Sequence, residues 1–331
     1  MRRTIAWAGF ATLLAMIIGS APVSAESSRT DLKNFQHVFV IMMENTGYDQ
    51  LIGDPNAPWI NHAAKTYGLA TNYTGVTHPS QPNYIAATSG STNGVANDND
   101  TTIHVTNVVD QLESHGKTWK AYMQSYSLCN GVQLAHACGD QLYERKHNPF
   151  VSYADVQNSP ARMANIVDLS SLSGDLAGGK VANYVWISPD QCNDMHGRST
   201  AGACNFSNVE GLIAAGDAFL SNTVGMIMSS PAWTGNSVIF IAWDESEFTN
   251  SGFGGFGDDS GCCDAVAGQG GGHVVSLVIS HSNHKAVTSA TAYNHYSILA
   301  TIEGGWKLGC LGFTCDTANV PAMGALTGPK G

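Results

Sequence analysis

Four short apolar runs constrain the fold of this chain more than any other feature: His37–Met43, Val181–Ile187, Ser237–Trp243 and Val274–Ile279. Each has the length of a strand and shows no polar alternation, so each asks to be buried on both faces. Stretches of helical character, Asn107–His115, Val209–Met228 and His295–Gly304, lie between or after them. Buried strands alternating with helices predict an α/β fold with a mainly parallel sheet flanked by helices. Hydrophobic residues make up 43% of the 331 residues, enough for a full core, which excludes disordered, collagen-like and coiled-coil chains. With no internal repeat and no Pro/Ser-rich linker, residues 26–331 are expected to form a single domain.

The residues that follow these runs carry the functional signal. The first run leads into Glu44-Asn45, the second into Asp190, and the third into Asp244-Glu245. Ligands of open α/β sheets gather at the carboxyl ends of strands, so the three polar clusters are expected to converge. The competing reading is that each acid caps a turn. The Gly-rich segment Ser251–Gly272 lacks the GK[ST] ending of a phosphate loop and reads as a disulfide-clipped surface loop.

The start of the chain reads as an export signal. Arg2 and Arg3 precede the apolar run Ile5–Ile18, and small residues end at Val23-Ser24-Ala25. This pattern describes a cleaved signal peptide over residues 1–25, the run being shorter than a membrane span. A secreted or periplasmic protein without a later transmembrane segment is expected. Eight cysteines, all beyond residue 25, read as disulfides in such a compartment. Short separations suggest Cys129–Cys138, Cys192–Cys204 and Cys310–Cys315, with adjacent Cys262 and Cys263 bridging each other or pairing elsewhere. No C-x2-C pair supports zinc. A formal net charge of −11 without basic runs argues against a nucleic-acid partner.

Thr77-His78-Pro79-Ser80-Gln81-Pro82-Asn83-Tyr84 is the densest motif. Pro82 favours a first helical turn, which places Ser80 near a helix N-terminus. There it either caps the helix or faces a bound anion together with backbone N–H groups. As a nucleophile the hydroxyl needs a base or a metal, and the acids at the strand ends suit a hard divalent cation. Asp194 and His196 form an Asp-x-His pair beside the second run, Arg145-Lys146-His147 brings positive charge, and His295 opens a helix.

In combination the chain resembles the secreted phosphoesterase family of acid phosphatases and phosphocholine-type phospholipases C, within the alkaline phosphatase superfamily. The matches run in family order. They are His37 to Asn45, Thr77 to Tyr84, Lys146 to Phe150, Asn193-Asp194-Met195-His196, Trp243-Asp244-Glu245 and Asn294-His295-Tyr296-Ser297. The length and the serine motif look more like the compact acid phosphatases. The resemblance implies an alkaline-phosphatase-like core and a divalent metal ion held by Glu44, Asn45, Ser80, Asp244 and Glu245. It implies Ser80 as nucleophile, His196, His295 and Asp194 in catalysis, and His78, Asn83 and His147 on the phosphate. Gly197 departs from the family pattern where many relatives carry an acid, and His273 reads as a surface residue. The expected activity is hydrolysis of phosphate monoesters through a phosphoserine, on a phosphorylated small molecule or a phospholipid. The alternatives are a phospholipase C-type diesterase and a non-catalytic binding protein.

Overall fold

The computed structural model describes residues 32–199, 202, 204–246, 258–261, 270–283 and 285–328. The signal segment, Cys262, Cys263 and most of the Gly-rich segment lie outside the described residues.

Eight strands form the central sheet. They are β1 (Val38–Met43), β2 (Gly68–Ala70), β4 (Trp119–Met123), β7 (Ile166–Asp168), β8 (Tyr184–Ser188), β9 (Val238–Trp243), β10 (Ser276–Ser280) and β11 (Val287–Ser289). Two small pairs accompany it: β3 (Tyr73–Thr74) with β12 (Tyr293–Asn294), and β5 (Ala137–Cys138) with β6 (Tyr143–Glu144). The sheet order is β11-β2-β10-β9-β1-β8-β4-β7. β1 pairs in parallel with β8 on one side and β9 on the other, and β10 alone runs against its neighbours. Every residue of β1, β8 and β9 is buried, as their uninterrupted apolar runs require. Burying side chains such as Ile41 and Phe240 stabilises the fold by about 1.5–3 kcal/mol each.

Among the described residues, five helices of seven or more residues flank the sheet: α1 (Pro58–Thr66), α2 (Ser80–Ser89), α3 (Val108–Ser114), α4 (Val209–Met228) and α5 (His295–Trp306). α1 packs on α4 and α2 on α5. Asn107 caps α3, its Oδ1 accepting from Val109 N at 2.9 Å while Asp110 Oδ2 accepts from Asn107 N at 3.1 Å. α4 has the length and hydropathy of a membrane span, the one such helix among the described residues, and half of that window is buried inside the fold. It carries Asp217, whose carboxylate accepts from Trp59 N and Ile60 N at the start of α1. The short separations among the cysteines are realised as the disulfides Cys129–Cys138, Cys192–Cys204 and Cys310–Cys315.

Candidate active site

β1 lies inside the sheet and pairs in parallel with β9, so the carboxyl ends of the two strands lie side by side. Glu44 and Asn45 leave β1 there, and Asp244 and Glu245 leave β9. Asn45 adopts the left-handed region with φ 38°, a conformation Asn tolerates better than most residues. Its backbone N donates to Asp244 Oδ1 at 3.1 Å, which ties the two strand ends together.

Ser80 is the first residue of α2, two residues earlier than Pro82 suggested, and Pro79 occupies the cap position. The hydroxyl therefore caps nothing. It donates toward Glu44 Oε2 at 3.1 Å and Glu245 Oε1 at 3.0 Å. Tyr84, one turn further along the same helix face, donates to Glu44 Oε1 at 2.6 Å. The Asn83 amide serves the preceding loop: Oδ1 accepts from Val76 N and Thr77 N, and Nδ2 donates to Thr77 O and Pro79 O. Asn83 thus shapes the turn that presents Ser80.

The histidines differ in availability. His78 bridges Glu245 and the Asp258 carbonyl, and His295 lies between Tyr73 OH at 2.9 Å and the Asp244 carbonyl at 2.5 Å. Both rings are buried and brace the site. His147 stacks on Tyr84 at 5.3 Å and places Nε2 3.2 Å from Glu44 Oε1 and Nδ1 3.6 Å from Asp194 Oδ2. His196 is half-buried, and its Nδ1 donates to the Gly197 carbonyl at 2.6 Å, which leaves Nε2 as the lone-pair nitrogen. Asp194 orients this segment by accepting from His196 N at 2.8 Å. Met195, between them, has φ 84°, an uncommon conformation for its type. Gly216 of α4 makes room for it, since a Cβ there would stand 2.5 Å from the Met195 side chain. Asp190 does not reach Ser80; it accepts from Cys192 N and Asn193 Nδ2 in its own turn and from the Ser125 hydroxyl after β4. His273 stacks on Tyr48 at 4.3 Å and hydrogen-bonds the Thr71 carbonyl, lining a 450 Å³ cavity with Asn72 and Tyr293.

Four carboxyls, Glu44, Asp194, Asp244 and Glu245, are at most 1% exposed. Burial pushes Asp194 and Asp244 well above the usual carboxylate range, and the charge on Glu44 adds to it. Burial opposes the charge on Glu44 too, but His147 holds it down at about 2. Burial holds the rings of His196 and His295 down at about 4.

This donor set fits a hard divalent cation. Asp244 Oδ2 and Asp194 Oδ2 are buried without a hydrogen-bond partner. The Asn45 amide edge facing the acids lies 3.1 Å from Glu44 Oε2 and 3.2 Å from Glu245 Oε1. Its nitrogen can donate to both, whereas its oxygen can face them only across a cation. Among the described residues no three His, Cys, Asp or Glu side chains stand preformed around an ion; the set here mixes a hydroxyl and an amide with carboxylates.

Sequence reasoning named Glu44, Asn45, Ser80, Asp244 and Glu245, and the structure brings them together. Tyr84 was missed as a site residue, although its spacing of four from Ser80 places it on the same helix face.

A mainly parallel sheet with a buried, carboxylate-held serine at the ends of its central strands defines an α/β protein. Residues 54–309 match the model of the phosphoesterase family, and the chain belongs to that family. It is similar to a probable acid phosphatase of Kluyveromyces lactis, 27% identical over 86% of this chain and 62% of that protein. An acid phosphatase of Aspergillus fumigatus is 35% identical over 49% of this chain and 37% of its own length. The chain therefore spans less than two thirds of the length of either relative. A solved protein of the alkaline phosphatase superfamily from Vibrio parahaemolyticus superposes with a TM-score of 0.53 at 11% identity. The superposition covers 85% of this chain and 68% of that one, and the fold is the alkaline-phosphatase-like core that the sequence suggested.

Proposed function

We propose that this chain is a metal-dependent phosphoric monoester hydrolase, an acid phosphatase working through a phosphoserine at Ser80. The observation that carries the reading is the Ser80 hydroxyl, held at the start of a ten-residue helix by two buried carboxylates. Glu44, Asn45, Ser80, Asp244 and Glu245 would hold the ion, which would supply positive charge to the serine oxygen and the phosphoryl group. The positive end of the α2 dipole would favour negative charge at the same point. Ser80 Oγ would bond to phosphorus as the bond to the ester oxygen breaks; the hydroxyl proton passes to Glu245, which returns it when the phosphoserine is cleaved, and the departing alkoxide takes a proton from water. Water then cleaves the phosphoserine and restores the hydroxyl. His196, neutral with Nε2 unprotonated, would take a proton from that water. His147 contacts the phosphoryl group, while His78, His295 and Asn83 hold the acids and the loop in place. Phosphoryl transfer needs positioning and charge more than covalent machinery, and this arrangement supplies both.

The test is a phosphate-ester panel after chelation and re-addition of single divalent metals. 4-Nitrophenyl phosphate turnover should vanish on chelation and return with metal, and Asp244→Asn should lose bound ion and turnover together. Full activity in verified metal-free protein would remove metal dependence from the reading. Preference for 4-nitrophenylphosphorylcholine would favour a diesterase, and turnover of neither a non-catalytic binding protein.

Export is part of the proposal. Thiol titration of denatured, unreduced protein from its native compartment should find no more than two free cysteines, six being paired in the structure. Six or more free thiols would overturn it.

A further inference from the structure

Lys146 is the lysine whose charge acts on the buried acids of the site. It lowers the proton affinity of Glu44, Asp194 and Asp244, and Glu44 and Glu245 in turn stabilise its own charge. Its neighbour Arg145 points elsewhere and donates to the carbonyls of Leu134, Thr101 and Val151. The Lys146 side chain is 16% exposed, so water screens its charge only weakly. Asp98 holds it in place. Its Oδ2 accepts from Lys146 Nζ at 3.0 Å, and its Oδ1 accepts from Gln81 N at 2.9 Å. Gln81 follows Ser80 directly, so one carboxylate fixes the ammonium relative to the first turn of α2. The Gln81 amide edge faces the same loop, 3.0 Å from the Asn97 carbonyl and 2.6 Å from the Asn99 carbonyl, contacts that only its nitrogen can turn into hydrogen bonds.

Resting on the phosphatase reading, we propose that Lys146, positioned by Asp98, matches the second negative charge of a phosphate monoester and so selects monoesters over diesters. A monoester carries close to two charges at neutral pH because its second pKa is about 6, whereas a diester carries one. Beside buried carboxyls the extra charge is favoured only where positive charge offsets it, and Lys146 would add a fixed cation to the proposed ion. Lys146 is then a specificity-determining residue and Asp98 a positioning residue.

The experiment compares kcat/KM for 4-nitrophenyl phosphate and methyl 4-nitrophenyl phosphate at pH 7.5 in wild type, Lys146→Gln and Asp98→Asn. Inhibition by inorganic phosphate and by dimethyl phosphate is measured alongside. Lys146→Gln should lower monoester kcat/KM by roughly 10- to 100-fold, the effect of one lost charge-assisted hydrogen bond, and leave the diester within about threefold. Phosphate inhibition should weaken in parallel while dimethyl phosphate inhibition stays. Asp98→Asn should shift the ratio the same way by a smaller factor. It decides the question alone if Lys146→Gln does not fold. Equal losses on both esters, or an unchanged monoester rate, would overturn the assignment. A wild type that turns over neither ester fails the phosphatase reading instead.

Discussion

The ends of β1 and β9 and the end of β8 lie side by side, and all three are followed by acids. At β1 and β9 the acids turn inward: Glu44 and Glu245 share the Ser80 hydroxyl, and Asp244 ties the strand ends together through Asn45. At β8 the acid is fully hydrogen-bonded: Asp190 accepts from Cys192 N and Asn193 Nδ2 in its own turn and from the Ser125 hydroxyl after β4. The difference lies in the bonding each carboxylate finds locally. Asp190 has two donors in its own turn, Cys192 N and Asn193 Nδ2, and a third in Ser125 after β4, so both its oxygens are satisfied. Asp244 keeps one buried oxygen without a hydrogen-bond partner, which is expensive in an apolar interior unless something further binds there. An acid after a strand is thus a site residue when its local chain leaves it unsatisfied.

Two substitutions sharpen this comparison. The largest effect is expected at the inward side: Ser80→Ala should lose roughly 10³-fold or more in turnover, as removal of a nucleophile does, with its fold retained. Circular dichroism and kcat on the same sample check both halves, and a loss under about tenfold would break the distinction. The smaller effect is expected at the β8 end. Asp190→Ala leaves buried donors unpaired and should cost about 1–3 kcal/mol of stability while kcat changes less than about tenfold. Urea unfolding with parallel kinetics checks it; a kcat collapse in folded Asp190→Ala would make the two ends equivalent.

The long elements were legible because burial writes itself into composition. β1 and β9 begin one residue inside their apolar runs, and β8 begins three residues inside its run. The strands β2, β7 and β11 have three residues each, too few for a periodicity to show, and their pairing comes from tertiary contact. The reversal of β10 is likewise invisible in an apolar run, which reads the same in either direction. In the site, residue types were legible and orientations were not. His78 and His295 are where the motifs suggested, but their ring nitrogens are engaged by Glu245, Tyr73 and carbonyl oxygens. Asn83 likewise turns to backbone groups that only the folded loop brings near. Lys146 gains its meaning from Asp98, 48 residues away, a pairing no local pattern encodes.

The central claim is that Ser80 takes the phosphoryl group. Phosphoryl transfer from a substrate made chiral with sulfur and oxygen isotopes at phosphorus tests it most directly. Two successive in-line displacements, onto Ser80 and then onto water, each invert the centre, so the account predicts net retention. Net inversion would mean that water attacks the substrate directly, with Ser80 a ligand or a positioning group, and would contradict the account.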